Sequence, residues 1–155
     1  MATSALPDAI LALLSILRAA DGLTGVDVID GPPTNDVATQ DFLSVGWSGS
    51  EDASAETTQD FNAAGARTRD EDFGIACVLD VWSGDDGFAI VRARAFDLLG
   101  AVEQALRATQ AAPEAPTLNG TVLWAHMTRA SLRQTASKEG TRVSLTFTVT
   151  CHARI

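Results

Sequence analysis

The last fourteen residues of the chain, Arg142 to Ile155, alternate strictly between polar and apolar side chains. The apolar members are Val143, Leu145, Phe147, Val149, Cys151, Ala153 and Ile155. A period of two places all seven on one face of a β-strand, and such a face has to be covered by other parts of the protein. The pattern therefore predicts a sheet with one buried face and one polar face.

A second strand precedes this one and is expected to pair with it. Residues Val122 to Leu132 also alternate, and Ser137 to Gly140 supply turn residues between the two strands. The sequence thus predicts a long C-terminal β-hairpin. Its return strand spans roughly 43 Å at about 3.3 Å per residue, so we expect the hairpin to extend beyond its own domain.

Upstream periodicity predicts two helices and three more strands. The helices are expected over Asp8–Ala20 and Gly87–Thr109, the second with an N-cap carboxylate from Asp85-Asp86. The strand patterns cover Gly25–Asp30, Phe42–Trp47 and Phe73–Ser83, and the last is expected to be central because both its faces are largely apolar. The predicted fold class is α+β, an antiparallel or mixed sheet of about five strands packed by two helices.

Residues 48–72 interrupt this pattern with small, polar and acidic residues and offer little that could be buried. A long connection without secondary structure tends to be functional or mobile. A chain of 155 residues has the usual size of one domain. We therefore expect a single domain over residues 1–155 with a mobile acidic loop at about 48–72, ordered when neighbouring subunits pack on it.

Charge is distributed unevenly along the chain. Residues 1–120 hold 19 acidic and 6 basic side chains, a net of −13, whereas residues 121–155 hold 5 basic and 1 acidic, a net of +4. This segregation permits head-to-tail attraction between identical subunits. The overall charge of −9 disfavours a nucleic-acid-binding protein. No apolar run approaches the roughly 18 residues that cross a bilayer, so no membrane partner is expected.

Residues for metal or nucleophilic chemistry are scarce. His126 and His152 both lie in the hairpin, and zinc needs at least three protein ligands. Cys77 and Cys151 sit in alternating apolar patterns, which predicts reduced cysteines in the core. No nucleophile elbow or phosphate-binding glycine loop is present.

The carboxylate pairs Glu71-Asp72 and Asp85-Asp86 are interpreted as solvated loop charge and helix capping rather than as acid–base or cation sites. We therefore predict no catalytic, cofactor-binding or metal-ligating residue and no enzymatic activity. Three large side chains, Trp47, Trp82 and Trp124, are expected in the core or, alternatively, at a subunit interface.

Candidate interface residues fall in two parts of the sequence. Arg129, Arg133 and Arg142 are expected to contact acidic surface on a neighbour, where electrostatics sets the register. A polar β-branched face can also pair edge to edge with a neighbour, which here involves Thr146, Thr148 and Thr150. The acidic residues expected to be buried by sister copies are Glu51, Asp52, Glu56 and Asp60.

Three stretches carry a resemblance to a known family: VDVIDGPP at 26–33, FGIACVLDVWSGDDGFAIVRARAFDLLGAVEQAL at 73–106, and RVSLTFTVTCHARI at 142–155. With their order and the long hairpin, the chain resembles the tail terminator, or tail completion, proteins of long-tailed bacteriophages and gene transfer agents. That family has no short catalytic motif, so no functional residue is transferred individually.

The resemblance implies a structural virion protein at the head-proximal end of the tail, assembled in the cytoplasm of the bacterial host. It would form a homohexameric ring that caps the tail tube, ends tube polymerisation and presents the head–tail joining interface. Its partners would be itself, the tail-tube protein and a head-completion or connector protein. DNA would only pass through the lumen, where the acidic residues would discourage phosphate binding.

Two other kinds of function remain open on the sequence. A head-completion or neck connector, or a tail-tube subunit, would also be a small ring-forming protein. A small-ligand-binding domain or an enzyme would use a pocket between the second helix and the sheet.

Overall fold

The computed structural model describes residues 2–34 and 40–155. Met1 and residues 35–39 belong to the domain predicted for residues 1–155 but lie outside the described residues. Within the described part the chain forms two α-helices and six β-strands. In chain order these are α1 Leu6–Ala19, β1 Asp27–Asp30, β2 Phe42–Val45, β3 Ala55–Phe61, β4 Arg69–Ser83, α2 Phe88–Ala105, β5 Trp124–Ser137 and β6 Gly140–Arg154.

The strands form one mixed sheet in the order β1-β2-β4-β6-β5, and β3 pairs with β4 on the same side as β2. Only β1 and β2 pair in parallel, and the other described pairs are antiparallel. β4 is central, as predicted, because β2 and β3 flank it on one side and β6 on the other. The α+β fold with a mixed sheet and a C-terminal hairpin is thus confirmed.

The strand that sequence reasoning missed is β3, which lies inside the segment interpreted as a loop over residues 48–72. β3 pairs with β4 from Ala55 opposite Ile75 to Phe61 opposite Arg69. The expectation of a structureless connection is therefore wrong for residues 55–61 and from residue 69 onward. The expected mobility of residues 48–72 stays a prediction. β3 carries polar residues on both faces because it is an exposed edge strand, so it has no apolar alternation to detect.

The C-terminal hairpin does not extend beyond the sheet, which corrects the sequence prediction. β6 pairs with β4 from Thr141 to Arg154, and with β5 on its other side. β4 and β6 each contain 15 residues, so the central strands are equally long and support each other along their whole length.

Both helices pack on one face of the sheet, here called the helix-covered face. The alternating apolar residues of β6 meet those of β4 and the inner stripes of α1 and α2 in one core cluster. Cys77 and Cys151 lie in this core as free thiols, as predicted, and burial raises the pKa of each to about 12. No helix among the described residues is both long and apolar enough to span a membrane.

The start of α2 differs from the prediction of a carboxylate cap. Gly87 is the N-cap, and no side chain there accepts a hydrogen bond from the helix. The Asp86 carboxylate instead accepts a hydrogen bond from the Ser83 hydroxyl at 2.9 Å, and that hydroxyl accepts one from the Asp86 N–H at 3.1 Å. The aspartate therefore stabilises the turn that precedes the helix.

Glu71 is fully buried, which corrects its interpretation as solvated loop charge. Its Oε1 accepts a hydrogen bond from the backbone N–H of Ala5, the N-cap of α1, at 2.7 Å. Its Oε2 accepts hydrogen bonds from the Thr57 hydroxyl at 2.9 Å and the Gln59 amide at 2.6 Å. Burial alone would raise the pKa of Glu71, but these bonds and one from Ser4 together hold it below its ordinary value.

Candidate assembly interface

The second face of the sheet carries no helix and is here called the open face. Its central positions on β6 and β4 are Thr146, Thr148, Thr150, His152, Gly74 and Ala76. Their outer neighbours are Glu56, Thr58 and Asp60 on β3, and Arg129, Ser131 and Arg133 on β5. The residues that alternate with these positions on β3, β4 and β6 point toward the helix-covered side. β5 departs from this alternation at a register shift between Met127 and Arg129, where Thr128 also reaches the open face and its hydroxyl lies 2.6 Å from that of Thr150.

A loop crosses part of the open face after β2. Ala76 anchors both of its ends: its carbonyl accepts hydrogen bonds from the N–H groups of Gly46 and Trp47, and its N–H donates to the Ser54 carbonyl at 2.9 Å. Between these anchors the loop lies over Val78, which is only 4% exposed. Glu51 and Asp52, which lie between the two anchors, are exposed. The loop thus presents two of the predicted acidic residues beside the open face.

The remaining open face forms a groove of about 630 Å³. Thr148, Thr150, Gly74 and Ala76 contribute to its lining. It brings together five of the predicted interface residues: Asp52, Glu56, Arg129, Thr148 and Thr150. Glu51, Asp60, Arg133, Arg142 and Thr146 are not among its lining residues. Residues 70 or more positions apart in sequence therefore share one surface.

β6 is not an edge strand, so the prediction that it pairs edge to edge with a neighbour is wrong. β4 and β5 occupy both its sides. Thr146, Thr148 and Thr150 are half-buried on the open face and can contact another molecule only through their side chains. Sequence patterns report which face is apolar, whereas edge position depends on the pairing of distant strands.

The edge strand is β5, which is exposed on both faces from Thr128 to Ser137. It contains no proline, and among the described residues no strand pairs with its outer side. Leu132 on its helix-covered side is 44% exposed, and Phe96 on α2 is 47% exposed. A long edge strand with adjacent apolar side chains is a surface on which another chain can pair.

The three predicted arginines have different surroundings. Arg129 and Arg133 are exposed, and neither forms an ion pair with the described residues. Arg142 is instead ion-paired within the chain to Asp80, which also accepts a hydrogen bond from the Ser144 hydroxyl at 2.5 Å. Burial raises the pKa of Asp80 despite these two contacts.

An ion pair and a carboxylate–imidazole contact also link the ends of β4 and β6 on the open face. Asp70 accepts a hydrogen bond from Arg154 at 2.8 Å, which lowers the pKa of Asp70. Asp72 lies 2.7 Å from Nδ1 of His152. These contacts fix the two strand ends and leave Glu56 and Asp60 of β3 as exposed acidic groups.

The tryptophans do not lie in the core, contrary to the first expectation. Trp47 and Trp82 are half-buried, and Trp124 is 41% exposed. The Trp124 ring lies 5.1 Å from the ring of His126 and stacks on that of His152 at 5.6 Å. The two histidines therefore flank a tryptophan, and within the described residues no cluster of three or more His, Cys, Asp or Glu could hold a metal.

A second cavity of about 660 Å³ lies between the C-terminal ends of α1 and α2. Its lining is mainly small and apolar, with Ile16, Ala20, Ala101 and Ala105. Arg107, one of its few charged residues, is already paired with Glu103 at 2.9 Å. The cavity offers no arrangement of nucleophile, base and orienting group.

Comparison with known proteins bears on the fold of the chain. No family model matches the chain, and no curated protein matches it. Among solved structures it is similar to a chain of the "Virion of native gene transfer agent (GTA) particle", with 17% identity and a TM-score of 0.51. The similarity covers 98% of this chain and 100% of that chain. At this identity the likeness establishes a common fold over the full length.

Proposed function

We propose that the chain is a structural protein of a phage-like virion that forms a ring of six copies at the end of the tail tube. In this role it is a tail terminator: it caps the tube, ends its polymerisation and provides the surface that joins the tail to the head. It acts without catalysis, and it resides at the head-proximal end of the tail.

The observation that carries the proposal is the full-length likeness to a chain of a gene transfer agent virion, which leaves neither chain with a large unmatched part. The same class of particle is implied by the sequence resemblance. A fold can serve several functions, so the features of the open face and the sheet edges provide the second line of support.

The sheet edges favour assembly with copies of the same chain. The outer side and both faces of β5 are exposed over about ten residues. Monomeric proteins normally protect a sheet edge of this kind against pairing with other chains. The proposed subunit contacts are Arg129, Arg133, Arg142, Thr146, Thr148, Thr150, Glu51, Asp52, Glu56 and Asp60. Different surfaces meeting head to tail generate a closed ring when the rotation closes.

A ring of this kind stops the growth of a tube because its two faces differ. One of its faces matches the last tube ring and covers its exposed edges, while the other face offers nothing on which the next tube ring can pack. That second face is free to bind a head-completion or connector protein. The acidic residues of the chain disfavour contact with DNA phosphates, so DNA passes through the lumen without being retained.

Particles made without this protein provide the test. We expect electron microscopy to show tails of irregular, excessive length and heads that are not joined to tails, and we expect added purified protein to restore both. Tails of normal length that fail to join heads would identify a neck or head-completion protein instead. Open-ended tubes formed by the purified chain would identify a tail-tube subunit.

A further inference from the structure

The two outer sides of the sheet carry opposite charge. On the open face of β5, Arg129 and Arg133 are exposed and flank Ser131; this side is called the basic edge. On the open face of β3, Glu56 and Asp60 are exposed and flank Thr58; this side is called the acidic edge. Neither edge is paired with another strand among the described residues.

The spacing of the charges is the same on both edges. Arg129 and Arg133 are separated by four positions, as are Glu56 and Asp60. In each strand the two charged residues and the small polar residue between them lie on one face, because alternate residues share a face. Each edge therefore presents charge, hydroxyl and charge at equal intervals along the strand.

The strand directions also match. β3, β4, β6 and β5 are antiparallel in succession, so β5 and β3 run in opposite directions within one copy. Rotation about an axis roughly along the strands preserves their directions and keeps every open face on the same side. A neighbouring copy related by this rotation thus brings its β3 antiparallel to β5, with both polar rows on one face.

We propose that β5 of one copy pairs edge to edge with β3 of the next, in the register that places Arg129 opposite Asp60, Ser131 opposite Thr58 and Arg133 opposite Glu56. This inference rests on the ring of the proposed function and specifies how its subunits join. The register places the seven residues of β3 along residues 128–134, within the exposed part of β5. A shift by two residues leaves both arginines without an opposite carboxylate.

Apolar side chains on the other face support the same contact. Leu132 of β5 and Phe61 of β3, which is 71% exposed, both lie on the helix-covered side of their strands. In the proposed register Leu132 lies opposite Thr57 and Phe61 lies opposite Thr128, so the two apolar side chains do not contact each other. Pairing still removes part of each side chain from water against the neighbouring strand, and this burial adds to the backbone hydrogen bonds.

Charge exchange tests the partner surfaces. The full-length variants Arg129→Glu/Arg133→Glu and Glu56→Arg/Asp60→Arg are studied by native mass spectrometry, with and without tail tubes from the same particle. Each variant alone places like charges opposite each other, so we expect its assembly affinity to fall at least about tenfold. An equimolar mixture restores opposite charges at every contact, and we expect rings in which the variants alternate.

Cysteine cross-linking tests the register without altering the charges. The Ser131→Cys and Thr58→Cys variants are mixed under mild oxidation. In the matched control, Thr135→Cys replaces Ser131→Cys, so that the β5 cysteine lies four residues, or about 13 Å, farther along the strand. Native Cys77 and Cys151 do not compete because both are fully buried. We expect the first pair to form several times more cross-linked dimer than the control.

The outcomes separate the two proposals. If wild type forms rings but the two cysteine pairs cross-link equally, the β5–β3 contact is wrong and the ring proposal stands. The same conclusion follows if wild type forms rings but the charge-exchange mixture fails to assemble. A wild-type chain that stays monomeric beside tail tubes overturns the proposed function and the contact together.

Discussion

The carboxylate of Glu71 joins β4 to two other parts of the chain: the start of α1 through Ala5, and β3 through Thr57 and Gln59. It accepts one of the backbone N–H groups that a helix leaves unsatisfied at its N-terminus. Negative charge at this end of the helix is also favourable. A charged residue that is fully buried is tolerated here because both its oxygens are hydrogen-bonded.

Replacement of Glu71 by alanine is expected to destabilise the fold by about 3 kcal/mol, since it removes the acceptor of the buried Ala5 N–H and one of the two acceptors of the Gln59 amide, which otherwise bonds only the Thr3 carbonyl. Urea unfolding of the purified chain measures the change. Glu56→Ala, which removes an exposed carboxylate from the same strand pair, is the control and is expected to change the free energy of unfolding by less than about 0.5 kcal/mol. Equal effects of the two substitutions would contradict this role.

The lowered pKa of Glu71 adds a pH dependence to the same experiment. Because the folded state holds the carboxylate ionised, its contribution is complete above the ordinary glutamate pKa and is lost as pH falls through the lowered value. In Glu71→Gln the group cannot titrate, so the free energy of unfolding should fall less steeply in acid. Parallel pH profiles for wild type and this variant would exclude the linkage.

At the scale of elements, the turn between β5 and β6 packs against the turn that follows β4. Gly140 adopts a φ of +144°, and a Cβ built on it would lie 2.2 Å from the Ser83 carbonyl oxygen and 2.8 Å from the Gly84 Cα. Both neighbours are backbone atoms, which cannot rotate away as a side chain would. The hairpin end is thus fixed against the rest of the sheet.

We expect Gly140→Ala to lower the free energy of unfolding by about 3 kcal/mol, because the added methyl group must displace backbone and the φ is unfavourable for alanine. Gly100→Ala is the matched control: Gly100 lies within α2 with open space around its Cβ position, and the substitution should stabilise the helix by about 0.5–1 kcal/mol. Thermal unfolding distinguishes the two. A Gly140→Ala protein as stable as wild type would show that the turn relaxes freely.

At the scale of the whole molecule, charge is separated across the sheet as well as along the sequence. The +4 of residues 121–155 includes Arg129 and Arg133 on β5, and the acidic residues of the preceding part include Glu56 and Asp60 on β3. Folding places these groups on opposite outer sides of one sheet. The uneven distribution of charge along the sequence thus gives the folded molecule two outer sides of opposite charge.

Assembly through these sides should weaken with salt. Ionic screening shortens the range of interactions between exposed charges from about 10 Å at 0.1 M to about 3 Å at 1 M. We therefore expect the proposed ring to need a higher protein concentration to remain assembled as salt rises. Analytical ultracentrifugation measures the effect, and Arg129→Gln/Arg133→Gln should show a smaller salt dependence. An oligomer distribution that is unchanged between the two salt concentrations would argue for an apolar contact instead.

Local periodicity determined what the sequence could establish about this protein: two helices, the central apolar strand at residues 73–83, and a C-terminal hairpin with one buried face. These features depend on neighbours two to four positions apart, so they can be read from one segment at a time. Tertiary structure decided the presence of β3, the burial of Glu71, the internal pairing of Arg142 and the position of β5 at the sheet edge. Each of these depends on which distant strands pair and which side chains they exclude from water, and no local pattern contains that information.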